Sequence, residues 1–204
     1  MSPVGARAVI VDYKMGNLAS VAKALERAGA RPSITNNPGE IASGDLLVLP
    51  GVGNFKAGIG HLEELGLIDP VWGWARSGGL VLGICLGMQL LFESSEEGGS
   101  KGLDILKGEV RQIQGDVKVP HMGWNTIQAE TGLFQPFSGK RFYFDHSYVC
   151  VPADQEGLTT ATTEHGEEFV SGLEAGNVIG VQFHPEKSGD DGIELLAQVL
   201  EKVQ

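Results

Sequence analysis

Residues 80–92 read Leu80-Val81-Leu82-Gly83-Ile84-Cys85-Leu86-Gly87-Met88-Gln89-Leu90-Leu91-Phe92, and the way this stretch divides decides the fold. The part from Leu80 to Ile84 is a short apolar run that predicts a buried strand. The part from Leu86 to Phe92 has the pattern of a helix. Cys85 falls at the junction, so a buried strand passes directly into a helix, as happens repeatedly in α/β folds.

Two earlier strand–helix units precede this stretch. Residues 8–11 predict a strand buried on both faces, and the apolar residues from Leu18 to Ala28 recur at helical spacing. Residues 46–49 predict a second buried strand, followed by helical sequence in two pieces over residues 55–77. Because strands joined through helices run parallel, the first half predicts a parallel sheet with helices on both faces.

The second half of the chain changes character. A last helix is predicted from a stripe of apolar residues between Ile193 and Leu200, with Asp190 and Asp191 near its start, where negative charge suits the helix dipole. We find no internal repeat or linker, so we expect one domain over residues 1–204, an α/β fold with a mostly parallel central sheet and added antiparallel strands. Gly, Pro and Asp separate the strand-like segments of this half, which are residues 109–113, 124–128, 141–151, 158–163, 168–173 and 178–183.

Composition narrows the possible partners and the compartment. The 204 residues include 26 acidic and 15 basic side chains, for a formal charge of −11, which argues against nucleic acid and anionic membranes as partners. No apolar run approaches the roughly 20 residues that span a bilayer, and Met1 to Arg7 lacks the layout of a secretory signal. Cys85 and Cys150 form neither a disulfide framework nor a paired metal-ligand motif. We therefore expect a cytoplasmic protein.

Cys85 has the surroundings of a nucleophile on a strand-to-helix turn. Gly83 and Gly87 lie two residues to either side and allow neighbouring chain to approach closely, as in a nucleophile elbow with sulfur replacing the serine oxygen. The amino end of the following helix favours the thiolate, and the amide of Leu86 is a natural donor to an oxyanion. The alternative is a small buried cysteine after a core strand, and we interpret Cys150 in that structural way.

A second oxyanion donor is expected from another loop at the same edge of the sheet. Pro50-Gly51-Val52-Gly53 ends the second strand, and the two glycines would let the peptide of Val52 turn its N–H toward a substrate. An ordinary glycine turn is the alternative reading of this segment.

A base for the cysteine is predicted at His184-Pro185-Glu186. Pro185 keeps His184 extended, and residues two apart in extended chain point the same way, so Glu186 can reach one imidazole nitrogen while the other faces Cys85. The alternative is a histidine at a strand end beside a solvated glutamate. We expect no zinc site, because Cys85 and the histidines lack close ligand spacing, and we expect His61 and His165 to be solvated.

These segments resemble a known family. Residues 83–92 together with Gln182-Phe183-His184-Pro185-Glu186-Lys187-Ser188 are similar to the class I, triad-type glutamine amidotransferases. Pro120-His121-Met122-Gly123-Trp124-Asn125 resembles, within that class, the glutaminase subunits of imidazole glycerol phosphate synthase. Residues 12–18, 49–53 and 146–148 fit as well, so the resemblance extends over nearly the whole chain.

The resemblance implies a role for each matching residue. Cys85 becomes the nucleophile, His184 the base and then the acid, and Glu186 the group that orients His184, while Val52 and Leu86 supply the oxyanion amides. It implies no cofactor and no metal. The residues implied to hold glutamine are Gly51, Gly53, Gln89, His146, Ser147 and Tyr148. Those implied to lie near a partner and the ammonia exit are Asn17, Met122, Trp124 and Lys187, although Met122 and Trp124 taken alone also fit a core.

The implied reaction is hydrolysis of glutamine through a cysteine thioester, with ammonia delivered to a cyclase subunit in a heterodimer. Two positions depart from the pattern that we expect: Lys14 replaces a glycine or small residue, and Asp145 replaces an apolar or small one. Three alternatives stay open, namely an amidotransferase serving anthranilate, pyridoxal phosphate or purine synthesis, a cysteine peptidase or isomerase, and a non-catalytic binding subunit.

Overall fold

The computed structural model describes residues 5–154 and 156–203. The helices in this part of the chain are α1 Leu18–Arg27, α2 Phe55–Glu64, α3 Ile68–Arg76, α4 Leu86–Leu90 and α5 Gly189–Leu200. The strands are β1 Arg7–Val11, β2 Arg31–Thr35, β3 Leu46–Gly51, β4 Leu80–Cys85, β5 Phe92–Ser95, β6 Ser100–Lys101, β7 Leu106–Gln112, β8 His121–Thr126, β9 Arg141–His146, β10 Tyr148–Pro152, β11 Thr159–His165, β12 Glu167–Ala175 and β13 Val178–Val181.

The first part of the central sheet is parallel. Its strands follow the order β2-β1-β3-β4-β13, and every neighbouring pair in this run is parallel. The register pairs Gly51 with Cys85 and Val181 with Ile84. Because parallel strands end at the same edge, the last residues of β3, β4 and β13 lie side by side, and the segments that follow them meet there.

The second part of the sheet is built mainly from antiparallel pairs. β12 pairs antiparallel with β13 and also with β10 and β11, β10 pairs antiparallel with β7, and β5 joins β7 in parallel. β8 and β9 form a separate antiparallel pair. The predicted class is therefore confirmed: a mixed α/β fold with helices around a large sheet and added antiparallel strands.

Helices cover both faces of the sheet because its inner strands are apolar on both faces. Along β1, Ala8 and Ile10 belong to a core that includes residues of α1 and α5, whereas Val9 and Val11 belong to a core with residues of α2 and α3. All four of these β1 side chains are buried. None of the helices in residues 5–154 and 156–203 is long and apolar enough to cross a bilayer.

One strand is missing from the prediction, and two predicted boundaries are wrong. β2 was not predicted, because this edge strand is largely exposed and contains Pro32, so its sequence lacks an apolar run. The single strand expected over residues 141–151 is two strands, since the chain leaves the β8–β9 pair at Ser147 and enters the central sheet as β10. The helix after Cys85 ends at Leu90, and Phe92 already begins β5.

Candidate active site

Cys85 occupies a sharp turn between β4 and α4. Its φ is +53° and its ψ is −109°, a conformation that non-glycine residues rarely adopt. A Cβ added at Gly87 would lie 1.6 Å from the carbonyl oxygen of Leu49, and one added at Gly83 would lie 2.8 Å from the backbone N of Met88. Both glycines are therefore needed for close packing around a strained, buried cysteine.

His184 and Glu186 form a buried pair beside the sulfur. Nδ1 of His184 lies 2.7 Å from Oε1 of Glu186, and the His184 side chain is only 2% exposed. His184 is extended and precedes a short 3₁₀ turn, Pro185–Lys187. Its backbone N–H donates to the carbonyl of Tyr143 on β9 at 2.8 Å. The pair is thus held by one local turn and by one bond to a separate strand.

The state of His184 favours proton transfer with the sulfur. Burial lowers its pKa, but hydrogen bonding to Cys85 and to Glu186 outweighs burial and raises the pKa to about 10. Nε2 makes no hydrogen bond of ordinary geometry among the described residues. Loose contacts between nucleophile and base are common before a substrate is bound. With its pKa raised to about 10, the imidazole is protonated at neutral pH.

The strand end at Pro50–Gly53 lies directly against the turn of Cys85. Gly51 is the register partner of Cys85, Val52 is partly exposed, and Gly53 has a φ of +107°. A Cβ on Gly51 would lie 2.1 Å from the hydroxyl oxygen of Tyr13. That hydroxyl is buried without a hydrogen-bond partner among the described residues, and burial, with a smaller effect of Cys85, raises the pKa of Tyr13 well above its usual value.

A cavity of about 310 Å³ opens over the sulfur. Its lining brings together most of the residues predicted to bind a substrate and adds three that were not predicted. His184 and Glu186 are not part of this lining, and a larger cavity of about 440 Å³ lies at the other end of the sheet, near Asp45 and Asn177, without a cysteine. The lining residues are Gly53, Cys85, Leu86, Gln89, Glu97, Pro120, Asp145, His146, Ser147 and Tyr148.

One wall of this cavity is held by a chain of hydrogen bonds. The carbonyl of Tyr148 accepts from Nε2 of Gln89 at 3.2 Å and from Nδ1 of His146 at 2.9 Å. Nε2 of His146 must then accept from Nδ1 of His121 at 3.0 Å, and Nε2 of His121 accepts from Nδ2 of Asn125 at 3.1 Å. The Tyr148 carbonyl, which can only accept, therefore fixes the tautomers of both His146 and His121.

Both of these histidines are neutral at physiological pH. Burial, assisted by His165, lowers the pKa of His121 to about 4. Burial also lowers the pKa of His146 to about 3, although its bond to the Tyr148 carbonyl acts in the opposite direction. The sequence assigned no role to His121 or Asn125. Their spacing could have indicated a shared role, because His121 and Asn125 are four residues apart in a strand and therefore face the same side of it.

Gln182 is a further buried polar residue that the sequence left without a role. It lies between β13 and His184, its side chain is fully buried, and Nε2 of its amide is 3.6 Å from Sγ of Cys85. Its Oε1 accepts from Nε2 of Gln89 at 3.1 Å. On the other side, Sγ of Cys85 donates to the carbonyl of Asp145 at 3.7 Å.

The four residues predicted to face a partner do not line the cavity. Met122 and Trp124 are 62% and 48% exposed, so the core alternative for them is wrong. They alternate with the buried His121 along β8, as strand geometry requires. Lys187 has its ammonium 5.5 Å from the ring of Tyr143, and Asn17 caps α1 by accepting from the N–H of Ser20.

Lys14, the first departure from the family pattern, lies at a backbone position that favours glycine. Lys14 has a φ of +65°, in the left-handed region where glycine is favoured. Its ammonium forms an exposed ion pair with Glu64 at 3.3 Å. The second departure, Asp145, accepts a hydrogen bond from the cysteine at its backbone carbonyl. No hydrogen bond of its side chain to the described part of the chain explains why an aspartate stands there.

His61 and His165, which we expected to be solvated, are each only partly exposed. His165 is half-buried, stacks on His121 with ring centroids 4.1 Å apart and bonds the carbonyl of Lys118 at 2.9 Å. Nδ1 of His61 is buried without a partner among the described residues.

Cys150 is buried, and burial raises the pKa of its thiol well above the usual value, with a further contribution from Cys85. Across residues 5–154 and 156–203, no cluster of three or more His, Cys, Asp or Glu could hold a metal ion.

A strained cysteine between a strand and a helix, beside a buried histidine–glutamate pair, is the arrangement of triad-type acyl-transfer enzymes. The chain matches the family "Glutamine amidotransferase class-I" over residues 9–203. Two solved structures share the fold: a glutamine amidotransferase with a TM-score of 0.77 at 21% identity, covering 96% of this chain and 99% of that one, and PurLQS from Thermotoga maritima with a TM-score of 0.74 at 22% identity, covering 98% and 100%.

Curated relatives narrow the class to one subunit type. The chain is 48% identical to "Imidazole glycerol phosphate synthase subunit HisH" of Moorella thermoacetica, over 96% of this chain and 94% of the relative. It is 48% identical to the protein of the same name from Methanopyrus kandleri, over 95% and 97%, and 46% identical to that of Aquifex aeolicus, over 97% and 98%. The chain therefore belongs to the class-I glutamine amidotransferases and, within them, to the HisH family of imidazole glycerol phosphate synthase subunits.

Proposed function

We propose that this chain is the glutaminase subunit of imidazole glycerol phosphate synthase in histidine biosynthesis, with Cys85 as its nucleophile. The observation that carries the proposal is the position of the buried His184–Glu186 pair beside a strained cysteine that opens into a cavity. The volume of about 310 Å³ suits one amino acid better than an extended peptide, which favours a glutaminase over a peptidase.

The reaction runs in two halves that use the same groups. The Cys85 thiolate attacks Cδ of glutamine, and the amides of Leu86 and Val52 hold the negative charge that develops on the amide oxygen. Protonated His184 gives its proton to the departing ammonia, which leaves a thioester on the sulfur. The neutral imidazole then takes a proton from water, whose oxygen attacks the same carbon. The thiolate leaves, and glutamate is released.

The cavity wall supplies the contacts for the amino-acid end of glutamine. Both N–H groups of Gln89 are already donated, to Tyr148 and to Gln182, so its free oxygen is the atom that could accept from the glutamine ammonium group. Gly51, Gly53, His146 and Ser147 complete the proposed subsite. Gln89 can therefore bind glutamine only by accepting a hydrogen bond.

The partner in this proposal is the cyclase subunit, in a heterodimer. Met122 and Trp124 are exposed apolar side chains on the face of β8 opposite the buried His121, and exposed aromatic and methionine side chains are common at the centres of interfaces. Asn17 and Lys187 would border the same contact. Ammonia would pass directly to the cyclase, which binds the nucleotide substrate, since this sequence has no G-x-x-x-x-G-K phosphate loop.

The proposal extends to the organisation and location of the chain. Residues 1–204 would form one glutamine amidotransferase domain. A catalytic thiolate needs to stay reduced, so the cytoplasm is the compartment that the proposed chemistry favours.

Glutamate release from glutamine tests the proposal. Wild type, Cys85→Ala and the matched control Cys150→Ala are assayed alone and with the cyclase subunit and its nucleotide ligand. We expect release that rises with the liganded cyclase, falls on the order of 10³-fold or more in Cys85→Ala and persists in Cys150→Ala. A rate of glutamate release that does not change when the liganded cyclase is added would refute the assigned partner. Full activity in Cys85→Ala would refute the mechanism.

A further inference from the structure

A second hydrogen-bond donor faces the reacting sulfur. Nε2 of Gln182 lies 3.6 Å from Sγ of Cys85, within the range of hydrogen bonds to sulfur. We propose that Gln182 is a thiolate-stabilising residue, which holds the negative charge on Cys85 through a neutral amide and acts in addition to His184. This inference deepens the proposed function and rests on it for its role in turnover.

The orientation of the Gln182 amide follows from its neighbours. The Tyr148 carbonyl can only accept, so Gln89 must turn its nitrogen toward that oxygen, at 3.2 Å. The second hydrogen on the same nitrogen then points to Gln182, which must offer its oxygen at 3.1 Å. The nitrogen of Gln182 is therefore the atom left to face the sulfur. A backbone carbonyl, which cannot flip, thus sets a donor against the nucleophile.

Apart from His184, the other groups around the sulfur do not stabilise a negative charge on it. The carbonyl of Asp145 accepts from the thiol at 3.7 Å and so favours the protonated form. Tyr13 and Cys150 are neutral at physiological pH, because burial raises the pKa of each well above its usual value. His146 is neutral as well, since burial lowers its pKa to about 3. His184, backed by Glu186, is thus the cationic neighbour, and Gln182 is a donor that remains when His184 has lost its proton.

Both donors act in the second half of the reaction. His184 is neutral once it has protonated ammonia, and it is protonated again once it has taken a proton from water. The C–S bond of the thioester then breaks, and the electron pair leaves on sulfur. An amide N–H already aimed at the sulfur stabilises this leaving thiolate without giving up its proton. Gln89 is a positioning residue in this scheme, because it acts on the sulfur through Gln182.

The test measures the sulfur directly and needs no substrate. The rate of Cys85 alkylation by iodoacetamide is followed against pH in the full-length chain, with Cys85→Ala as background. In Gln182→Met we expect the half-maximal rate at a pH about one unit higher, which corresponds to ~10-fold slower alkylation, or about 1.4 kcal/mol, below the wild-type midpoint. At high pH the variant should be as fast as wild type or faster, because a less stabilised thiolate is more nucleophilic.

Ser171→Ala is the matched control. It removes the hydroxyl that accepts from Thr163 at 2.8 Å on the neighbouring strand. This hydroxyl is equally buried, and it makes no hydrogen bond to the sulfur within residues 5–154 and 156–203. An unchanged midpoint in folded Gln182→Met, or an equal shift in Ser171→Ala, would overturn the proposal. If Gln182→Met does not fold, Gln89→Met decides: a smaller upward shift supports the inference and no shift refutes it. Glutamate release, assayed separately, reports whether the proposed function itself fails.

Discussion

Lowering the pH from 7 to 5.5 should destabilise this protein, because two neutral histidines are buried in the wall of the cavity. Burial lowers the pKa of His121 to about 4 and that of His146 to about 3. In the unfolded chain both would titrate near 6.5, so between pH 6.5 and 4 the unfolded state binds protons that the folded state excludes. Stability therefore rises with pH across this window and is lost on acidification.

The magnitude follows from the difference in bound protons. Between pH 7 and 5.5, each histidine shifts the equilibrium by about 1.3 kcal/mol, or about 2.5 kcal/mol for the pair. His184 acts in the opposite direction: with its pKa raised to about 10, its contribution is complete below 6.5 and is lost as pH rises toward 10. Its gain over the same interval is about 0.8 kcal/mol. We expect a net loss of about 2 kcal/mol.

Urea denaturation at the two pH values measures the net change, and NMR titration identifies its source. The ring resonances of His121 and His146 should stay in the neutral form down to about pH 5, with the proton of His146 on Nδ1. Equal free energies of unfolding at pH 7 and 5.5, or protonation of either buried ring near pH 6.5, would refute the reasoning.

Three further predictions concern single side chains. Tyr13→Phe removes a buried hydroxyl without a partner among the described residues, so the urea midpoint should stay or rise, and a loss above about 1 kcal/mol would mean that the hydroxyl is already bonded. Glu186→Gln should lower glutamate release by roughly 10²-fold or more with unchanged circular dichroism, because the imidazole loses its orienting carboxylate; near-wild-type release would contradict this role. Gly87→Ala should destabilise by about 3 kcal/mol or more, since its Cβ would overlap the Leu49 carbonyl. Gly60→Ala, at a helical site with open space, should instead be neutral or stabilising by up to about 1 kcal/mol in the same denaturation assay.

The parallel half of the fold could be predicted because its strands are buried on both faces. Continuous apolar runs such as residues 46–49 and 80–84 leave little choice of structure. β2 lacks that signal, since it lies at the sheet edge and only Thr35 in it is buried. The separation of β9 from β10 depends on which sheet each strand joins, and this is decided by tertiary pairing that no local pattern encodes.

The candidate site divides in the same way. Cys85, Pro50–Gly53 and His184–Glu186 could be predicted because each follows an apolar strand, and parallel strands end at one edge. The hydrogen-bonded wall could not be predicted, because its bonds join β8, β9, β10, α4 and the segment after β13, most of which are distant in sequence. Gln182 is an instance: its contact with the sulfur spans 97 residues, and only the folded chain brings the two together.

The distribution of unsatisfied polar atoms separates the reacting groups from those that hold them. Gln89 and Gln182 each bond protein groups, and so do His121 and His146, so these side chains cannot rearrange without breaking a bond in a buried place. Four buried side-chain atoms lack partners within residues 5–154 and 156–203, and three of them belong to Tyr13, His184 and Glu186. An atom buried without a partner is costly unless a substrate or intermediate supplies one. Nε2 of His184 is the atom that must exchange protons with ammonia and water, and this role explains why it has no partner of ordinary geometry among the described residues.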